Sequence, residues 1–213
     1  VIMKTDGIIF DVDGTLWDAT QRIAEAYTVI LKRERIANKV ITADMLASVM
    51  GLLNEDIAAR LFPELPYERR MRLIEACCEF ECEYLRKHGG RLFPHVVDVL
   101  KQLSAKYPLY IVSNCQDGYI EAMFAVHDLQ KYFKDYECSG RTGKPKQENL
   151  KSIVERNHLQ APVYIGDTRT DQTSCQKAGI PFVYASYGFG EADNYAASVD
   201  TFSELAQLFL TEQ

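Results

Sequence analysis

The chain has 213 residues, of which 47% are hydrophobic and 25% are charged, and its formal net charge is -6 at pH 7. This composition is typical of a globular chain with one sizeable core and a small second domain. The acidic balance argues against nucleic-acid binding, no apolar run reaches membrane-spanning length, and the first residues lack a secretory pattern, so we expect a cytoplasmic protein without nucleic-acid or membrane partners.

The first predicted element is a buried strand that ends in two carboxylates and a glycine. The apolar run of residues 7–10 is followed by Asp11, Val12, Asp13, Gly14 and Thr15. Asp11 and Asp13 project to the same side of an extended chain, where their charges repel unless a positive group lies nearby. We therefore expect the chemistry of the protein at this acidic corner.

A block of helices is predicted between Trp17 and Phe93. Apolar residues at helical spacing predict one helix over about residues 23–31, and Thr42 is a candidate N-cap for a segment that ends at Gly51. Two more helices are predicted, one from residue 54 to before residue 63 and a longer one from residue 67 to residues 89–90. The connection 51–54 is a candidate for a loop that faces the site, and a plain interhelical turn is an equally good interpretation.

Strands and helices alternate over the rest of the chain. Strands are predicted near Tyr110, Tyr136, Tyr164 and Val183, with helical segments over residues 117–127, 147–157 and 203–210. Alternation of this kind indicates a parallel sheet with right-handed crossovers, in which the carboxyl ends of the strands share one edge. Six cysteines without an export signal are interpreted as reduced thiols.

Polar residues follow two of these strands. Ser113 and Asn114 follow the second strand, and a Gly-Asp-x-x-x-Asp segment follows a later one, placing Asp167 and Asp171 at a strand end. Ser and Asn could form a turn or donate hydrogen bonds to an anion. Hard carboxylate ligands at a strand end suit Mg²⁺, although Asp167 or Thr168 could instead cap the following helix.

The order of these motifs resembles the haloacid dehalogenase superfamily of phosphotransferases: Asp-x-Asp-Gly-Thr after a strand, a hydroxyl residue after the next, a lysine, and Gly-Asp-x-x-x-Asp. The resemblance implies an α/β fold, with a Rossmann-like parallel sheet core formed by residues 1–16 and 92–213. It also implies an inserted α-helical cap domain over residues 17–91, as in phosphoglycolate-phosphatase-like members.

The same resemblance implies the roles of the site residues. Asp11 would be phosphorylated during turnover, and Asp13 would act as general acid and then general base. Mg²⁺ would be held by Asp11, the Asp13 carbonyl, Asp167 and Asp171, the last directly or through water. The remaining residues implied to bind the substrate phosphate are Ser113, Asn114, Gly14 and Thr15.

The implied lysine has two candidates. Lys144 matches a Lys-Pro form of the motif, whereas Lys146 matches a form in which the lysine opens the next helix. The neighbouring residues 141–143 and 148–149 favour Lys146. The other lysine is then interpreted as a solvated surface charge.

The implied function is magnesium-dependent hydrolysis of a small phosphorylated metabolite, in the manner of phosphoglycolate phosphatase. The alternatives are a phosphosugar mutase of the beta-phosphoglucomutase type and a catalytically silent binding protein with the same fold. Dehalogenase activity is disfavoured, since those relatives lack the metal chemistry that Asp13, Asp167 and Asp171 indicate. The sequence indicates neither the organic part of the substrate nor the oligomeric state.

Overall fold

The computed structural model describes residues 3–36 and 38–210. Its main sheet has six parallel strands in the order β5-β4-β1-β6-β7-β8, and β2 and β3 form a separate antiparallel pair. The strands are β1 (Gly7–Phe10), β2 (Trp17–Asp18), β3 (Arg91–Leu92), β4 (Leu109–Ser113), β5 (Phe133–Cys138), β6 (Pro162–Gly166), β7 (Phe182–Ala185) and β8 (Ala197–Val199). The predicted α/β fold with a parallel sheet is confirmed.

Helices cover both faces of the sheet. They are α1 (Thr20–Arg33), α2 (Ala43–Ala47), α3 (Asn54–Leu61), α4 (Tyr67–His88), α5 (Val96–Ser104), α6 (Tyr119–His127), α7 (Ser139–Thr142), α8 (Lys146–Arg156), α9 (Arg169–Ala178) and α10 (Glu204–Leu210). In the ranges described, no helix combines the length and apolarity needed to cross a membrane.

The central position of strand β1 in the sheet explains why its sequence is apolar throughout. It lies between β4 and β6, and Ile8 is in register with Leu109 on one side and Val163 on the other. Because successive side chains alternate between faces, Ile8 and Phe10 enter one core and Ile9 enters the opposite core. All three side chains are completely buried.

The helical block α1–α4 follows β1 in the chain, as the periodicity predicts. Thr42 accepts a hydrogen bond from the backbone N–H of Met45 at 3.2 Å and so caps α2. The long helix α4 ends at Gly89, whose φ of 66° lies in the left-handed region that glycine tolerates. The apolar faces of these helices join the same core as Ile8 and Phe10.

Strands β2, β3 and β8 and helices α5 and α7 were not predicted. The β2–β3 pair consists of two residues in each strand, too few to show an alternating pattern, and it brings the start and end of the helical block side by side. Strand β8 has three residues, and α5 begins after His95, which gives no side-chain capping signal. No disulfide joins the six cysteines, which all lie within the described part.

Candidate active site

The predicted site residues meet at the carboxyl edge of the sheet. Asp11 follows the central strand β1, Ser113 ends β4, and Asp167 follows β6. Because β4 and β6 flank β1, these three side chains converge from adjacent strands. Asp11, Ser113 and Asp167 are all buried.

Lys146 is the lysine that reaches this edge. It is the first residue of α8, its side chain is completely buried, and its Nζ lies 3.2 Å from Asp11 Oδ1 and 2.5 Å from Asp171 Oδ1. Lys144 is exposed, and its recorded hydrogen bonds use its backbone N–H and carbonyl. The structure therefore brings Lys146, and not Lys144, to the predicted cluster.

Asp171 is the most strongly held of the carboxylates. Its Oδ1 accepts hydrogen bonds from Lys146 and Tyr164, and its Oδ2 accepts from the backbone N–H of Asp167 and both donors of Thr168. Thr168 Oγ1 in turn accepts from the N–H of Asp171, which forms a capping box at the start of α9. Burial acts to raise the pKa of Asp171, but the Lys146 charge and these hydrogen bonds lower it overall.

Asp167 is enclosed by two glycines. A Cβ at Gly14, whose φ is +76°, would lie 2.0 Å from Asp167 Oδ2, and a Cβ at Gly188 would lie 2.3 Å from Asp167 Cβ. Asp167 accepts hydrogen bonds from the backbone N–H of Phe189 at 2.7 Å and from Thr15 Oγ1 at 3.4 Å. Burial, together with the nearby carboxylates, raises the pKa of Asp167 well above its ordinary value.

Gly14 and Thr15 lie against Asp167. Their backbone N–H groups donate to the carbonyls of Trp17 and Val12, and the Thr15 hydroxyl donates to Asp167. A side chain at position 14 would clash with Asp167, so glycine is required there. Contact of either residue with a substrate phosphate stays a prediction.

Asp13 is held by two aromatic side chains that the motif did not indicate. Its Oδ1 accepts hydrogen bonds from Trp17 Nε1 at 3.1 Å and from Tyr119 OH at 2.5 Å. Burial raises the pKa of Asp13 to about 6, and the two hydrogen bonds oppose that rise. The carboxyl group can therefore exchange a proton near neutral pH, with Oδ2 as the oxygen that these donors leave open.

Asp11 carries the unpaired atom of the site. Its Oδ2 is buried and has no hydrogen-bond partner among the described residues. Burial and then the charge of Asp171 raise the pKa of Asp11 to about 7, although Lys146 acts in the opposite direction. Such a carboxylate is poised to bind a cation or an electrophile.

The carboxylates also fit a divalent cation. Oxygen atoms of Asp11, Asp167 and Asp171 all lie within 4.8 Å of one another. The unpartnered Asp11 Oδ2 and the raised pKa values of Asp11 and Asp167 show that this cluster lacks positive charge. Oxygen-only donors of this kind suit Mg²⁺.

Ser113 and Asn114 connect the sheet edge to the helical block. Ser113 Oγ accepts from the N–H of Cys115 at 3.3 Å, so its own proton remains available for an anion. Asn114 Nδ2 donates to the carbonyl of Gly51 at 2.8 Å, and its Oδ1 accepts from Ser139 Oγ at 2.9 Å. The loop 51–54 therefore faces the site, which is one of the two interpretations that its sequence allowed.

A narrow cavity of about 40 Å³ lies between this edge and the helical block. Asp11, Asp13 and Ser113 form its floor, and residues of α1, α2 and α4 together with the loop 51–54 form its roof. A second cavity is lined by Leu52, Asn114, Lys146 and Arg169 among others, and reaches the same edge from outside.

We expect the free energy of unfolding of the metal-free protein to depend on pH through Asp11. The pKa of Asp11 is raised from 3.8 to about 7 in the folded protein. The stability that Asp11 contributes is therefore fully present below pH 3.8 and is lost as the pH rises to about 7. In chelator, we expect the free energy of unfolding of the wild type to decrease relative to Asp11→Asn over that range. Urea titrations at several pH values measure this, and a constant difference between the two proteins would contradict it.

Comparison with known proteins identifies one protein family, and the matched residues include most of the sheet and all of the helical block. The family profile described as haloacid dehalogenase-like hydrolase matches residues 8–185. The phosphoglycolate phosphatase of Escherichia coli strain K12 is 27% identical, covering 91% of this chain and 84% of the relative. That of Salmonella choleraesuis is 26% identical, covering 93% and 90%.

Solved structures show the same fold. A haloacid dehalogenase-like family hydrolase from Streptococcus pneumoniae superposes with a TM-score of 0.82 at 22% identity, covering 95% of this chain and 97% of the other. A protein from Haemophilus somnus described as a predicted phosphoglycolate phosphatase gives a TM-score of 0.80 at 17% identity, covering 97% and 99%. At these identities the likeness concerns the fold alone.

Proposed function

Because the chain belongs to the haloacid dehalogenase-like hydrolase family, we propose that it is a magnesium-dependent phosphomonoester hydrolase that acts through a phosphorylated Asp11. The observation that carries this proposal is that the two carboxylate oxygens of Asp11 have different surroundings. Lys146 binds Oδ1, whereas Oδ2 is buried without a partner. The similarity to phosphoglycolate phosphatases supports a small phosphorylated metabolite as the substrate.

In the first step, Asp11 Oδ2 attacks the phosphorus atom of the ester. A bond forms between this oxygen and phosphorus, and the bond between phosphorus and the alcohol oxygen breaks. Asp13 gives its proton to the departing oxygen, so the alcohol leaves neutral. The raised pKa of Asp13, about 6, makes this donation possible near neutral pH.

In the second step, water attacks the phosphorus atom of the aspartyl phosphate. Asp13, now ionised, takes one proton from the water, and the bond between phosphorus and Asp11 breaks to release inorganic phosphate. Tyr119 and Trp17 hold Asp13 Oδ1 through both steps, so that Oδ2 can give and take the proton. The protein returns to its starting state.

Charge on the phosphoryl group would be balanced from several sides. Lys146 supplies one positive charge beside Asp11, and the free proton of Ser113 Oγ can bind a phosphoryl oxygen. Asp11, Asp167 and the Asp13 carbonyl would hold Mg²⁺, with Asp171 contributing through water because its oxygens already accept five hydrogen bonds. When bound, the metal neutralises charge that develops on the phosphoryl group.

We extend the proposal to the division of the chain into a core of residues 1–16 and 92–213 and a cap of residues 17–91. The β2–β3 pair lies at both crossings between these parts. Because the cavity beneath the cap is only about 40 Å³, we infer that the cap moves to admit a phosphorylated substrate. Once closed, the cap would exclude bulk water and strengthen the electrostatic contacts.

Phosphate release in the presence of Mg²⁺ or chelator tests the proposed function. We expect release from at least one member of a panel of phosphorylated metabolites with Mg²⁺ and none with chelator. At a Mg²⁺ concentration of about 100 times its Kd, the metal should also raise the free energy of unfolding by about 2.7 kcal/mol. In Asp167→Asn that increase should be much smaller.

Three results would contradict the proposal. Equal phosphate release with and without chelator would remove the metal from the mechanism. Interconversion of sugar phosphate isomers without net phosphate release would instead identify a mutase. Absence of both activities across the panel would favour a silent binding protein.

A further inference from the structure

The cavity at the reactive carboxylates holds one further carboxyl group that the mechanism does not use. Glu81 lies on α4, is only 4% exposed, and lines the same cavity as Asp11 and Asp13. Gln116 Nε2 donates a hydrogen bond to Glu81 Oε1 at 3.0 Å. This hydrogen bond satisfies part of the buried carboxyl group, whose remaining oxygen lone pairs can accept from a group in the cavity.

No cation offsets Glu81. Among the residues that the structure describes, none of the lysines or arginines lines this cavity. Lys146 binds Asp11 and Asp171 from another side. Burial raises the pKa of Glu81 to about 8, and the Asp13 charge adds to that rise against the Gln116 hydrogen bond. Near neutral pH Glu81 therefore keeps its proton unless a cationic group binds beside it and favours the ionised form.

The rest of the cavity limits the size of its occupant. Its walls are mainly apolar, with side chains of α1, α2 and α3 that include Ile23, Leu46 and Ile57. Its volume of about 40 Å³ is small, so a compact leaving alcohol with one polar group directed at Glu81 fits it better than a large one.

We propose that Glu81 selects phosphomonoesters whose leaving alcohol is small and carries an ammonium or hydroxyl donor, and that it disfavours a carboxylate in the same place. The inference rests on the proposed function and specifies its substrate class. An ammonium group would pair with ionised Glu81, and a hydroxyl group would donate to it. Both donors use the same oxygen atoms.

A substrate carboxylate would meet the opposite environment. Protonated Glu81 could donate one hydrogen bond to it, but the added negative charge would be buried beside Asp13 without a cation in the cavity wall. Phosphoglycolate carries such a carboxylate. The chain should therefore differ in substrate preference from the phosphoglycolate phosphatases that it resembles.

The test compares three esters on three proteins. With Mg²⁺, kcat/KM is measured for ethanolamine phosphate, glycerol 3-phosphate and 2-phosphoglycolate on the wild type, Glu81→Gln and the control Glu79→Gln. Glu79 lies exposed on the same helix, so its variant makes the same substitution outside the cavity. Thermal unfolding confirms that each variant is folded, and methyl phosphate, whose leaving alcohol has no second polar group, reports activity that does not depend on Glu81.

We expect the wild type to favour at least one of the two donor esters over 2-phosphoglycolate by tenfold or more. Glu81→Gln should reduce that ratio at least tenfold, mainly through a higher KM for the donor ester, with the larger loss for ethanolamine phosphate if the ammonium is the group bound. Glu79→Gln should leave the ratio unchanged.

Three results would overturn the inference while methyl phosphate is still hydrolysed. These are a preference for 2-phosphoglycolate, equal use of the three esters, and an unchanged ratio in Glu81→Gln. No phosphate from any of the four esters would overturn the proposed function itself, and the inference with it. The two failures are therefore distinguishable.

Discussion

Asp11→Asn is expected to lower kcat/KM for phosphate release on the order of 10⁴-fold or more, since it removes the attacking oxygen. The amide keeps the size of the side chain and removes a charge that burial disfavours, so the variant should fold as well as the wild type in chelator. Phosphate release under steady-state conditions and urea unfolding measure the two effects separately.

Asp98→Asn is the matched control for this substitution. Asp98 is exposed on α5, away from the cavity at Asp11, and the change should alter stability by no more than about 0.5 kcal/mol. Its activity should equal that of the wild type. Activity of Asp11→Asn within tenfold of the wild type would rule out Asp11 as the nucleophile.

We expect Lys146→Met to lower the free energy of unfolding more than any of the other substitutions proposed. The substitution keeps the apolar stem of the side chain but removes the ammonium group that lies between Asp11 and Asp171, both buried. Breaking a buried ion pair from one side costs about 3–5 kcal/mol of the free energy of unfolding. Urea titration in chelator at neutral pH measures this loss.

Lys144→Met separates the two lysine candidates. Lys144 is exposed, so its variant should stay within about 0.5 kcal/mol of the wild type and retain full activity. Lys146→Met should also lose phosphate release, because the charge beside Asp11 is gone. Equal effects of the two substitutions would contradict the assignment of Lys146 to the site.

The sheet edge was predictable because it depends on local patterns. Short apolar runs that end in Asp11, Ser113 and Asp167 indicate parallel strands, and parallel strands place their carboxyl ends together. The burial of β1 by both neighbours explains why its apolar run shows no alternation. These features do not depend on the identity of distant residues.

The partners of these side chains were not predictable in the same way. Lys144 and Lys146 lie two residues apart, and only the start of α8 at Lys146 decides which is buried. Tyr119 reaches Asp13 from a helix 106 positions away, a contact with no local signal. The β2 and β3 strands are too short for their sequence to show a period.

The role of Gly14 also depended on packing. Its motif position predicts contact with the substrate phosphate, and the structure adds that it lies directly against Asp167. Phe189 contributes its backbone N–H, which donates a hydrogen bond to Asp167. Backbone contacts of this kind appear only when the loops are placed on the sheet.

The stereochemical course at phosphorus tests the central claim most directly. An isotopically chiral phosphorothioate ester of a substrate identified in the panel is hydrolysed in isotopically labelled water, and the configuration of the released thiophosphate is determined. Attack by Asp11 followed by attack of water inverts the phosphorus centre twice, so the account predicts overall retention of configuration. Overall inversion would show direct attack of water on the ester and would contradict an aspartyl phosphate at Asp11.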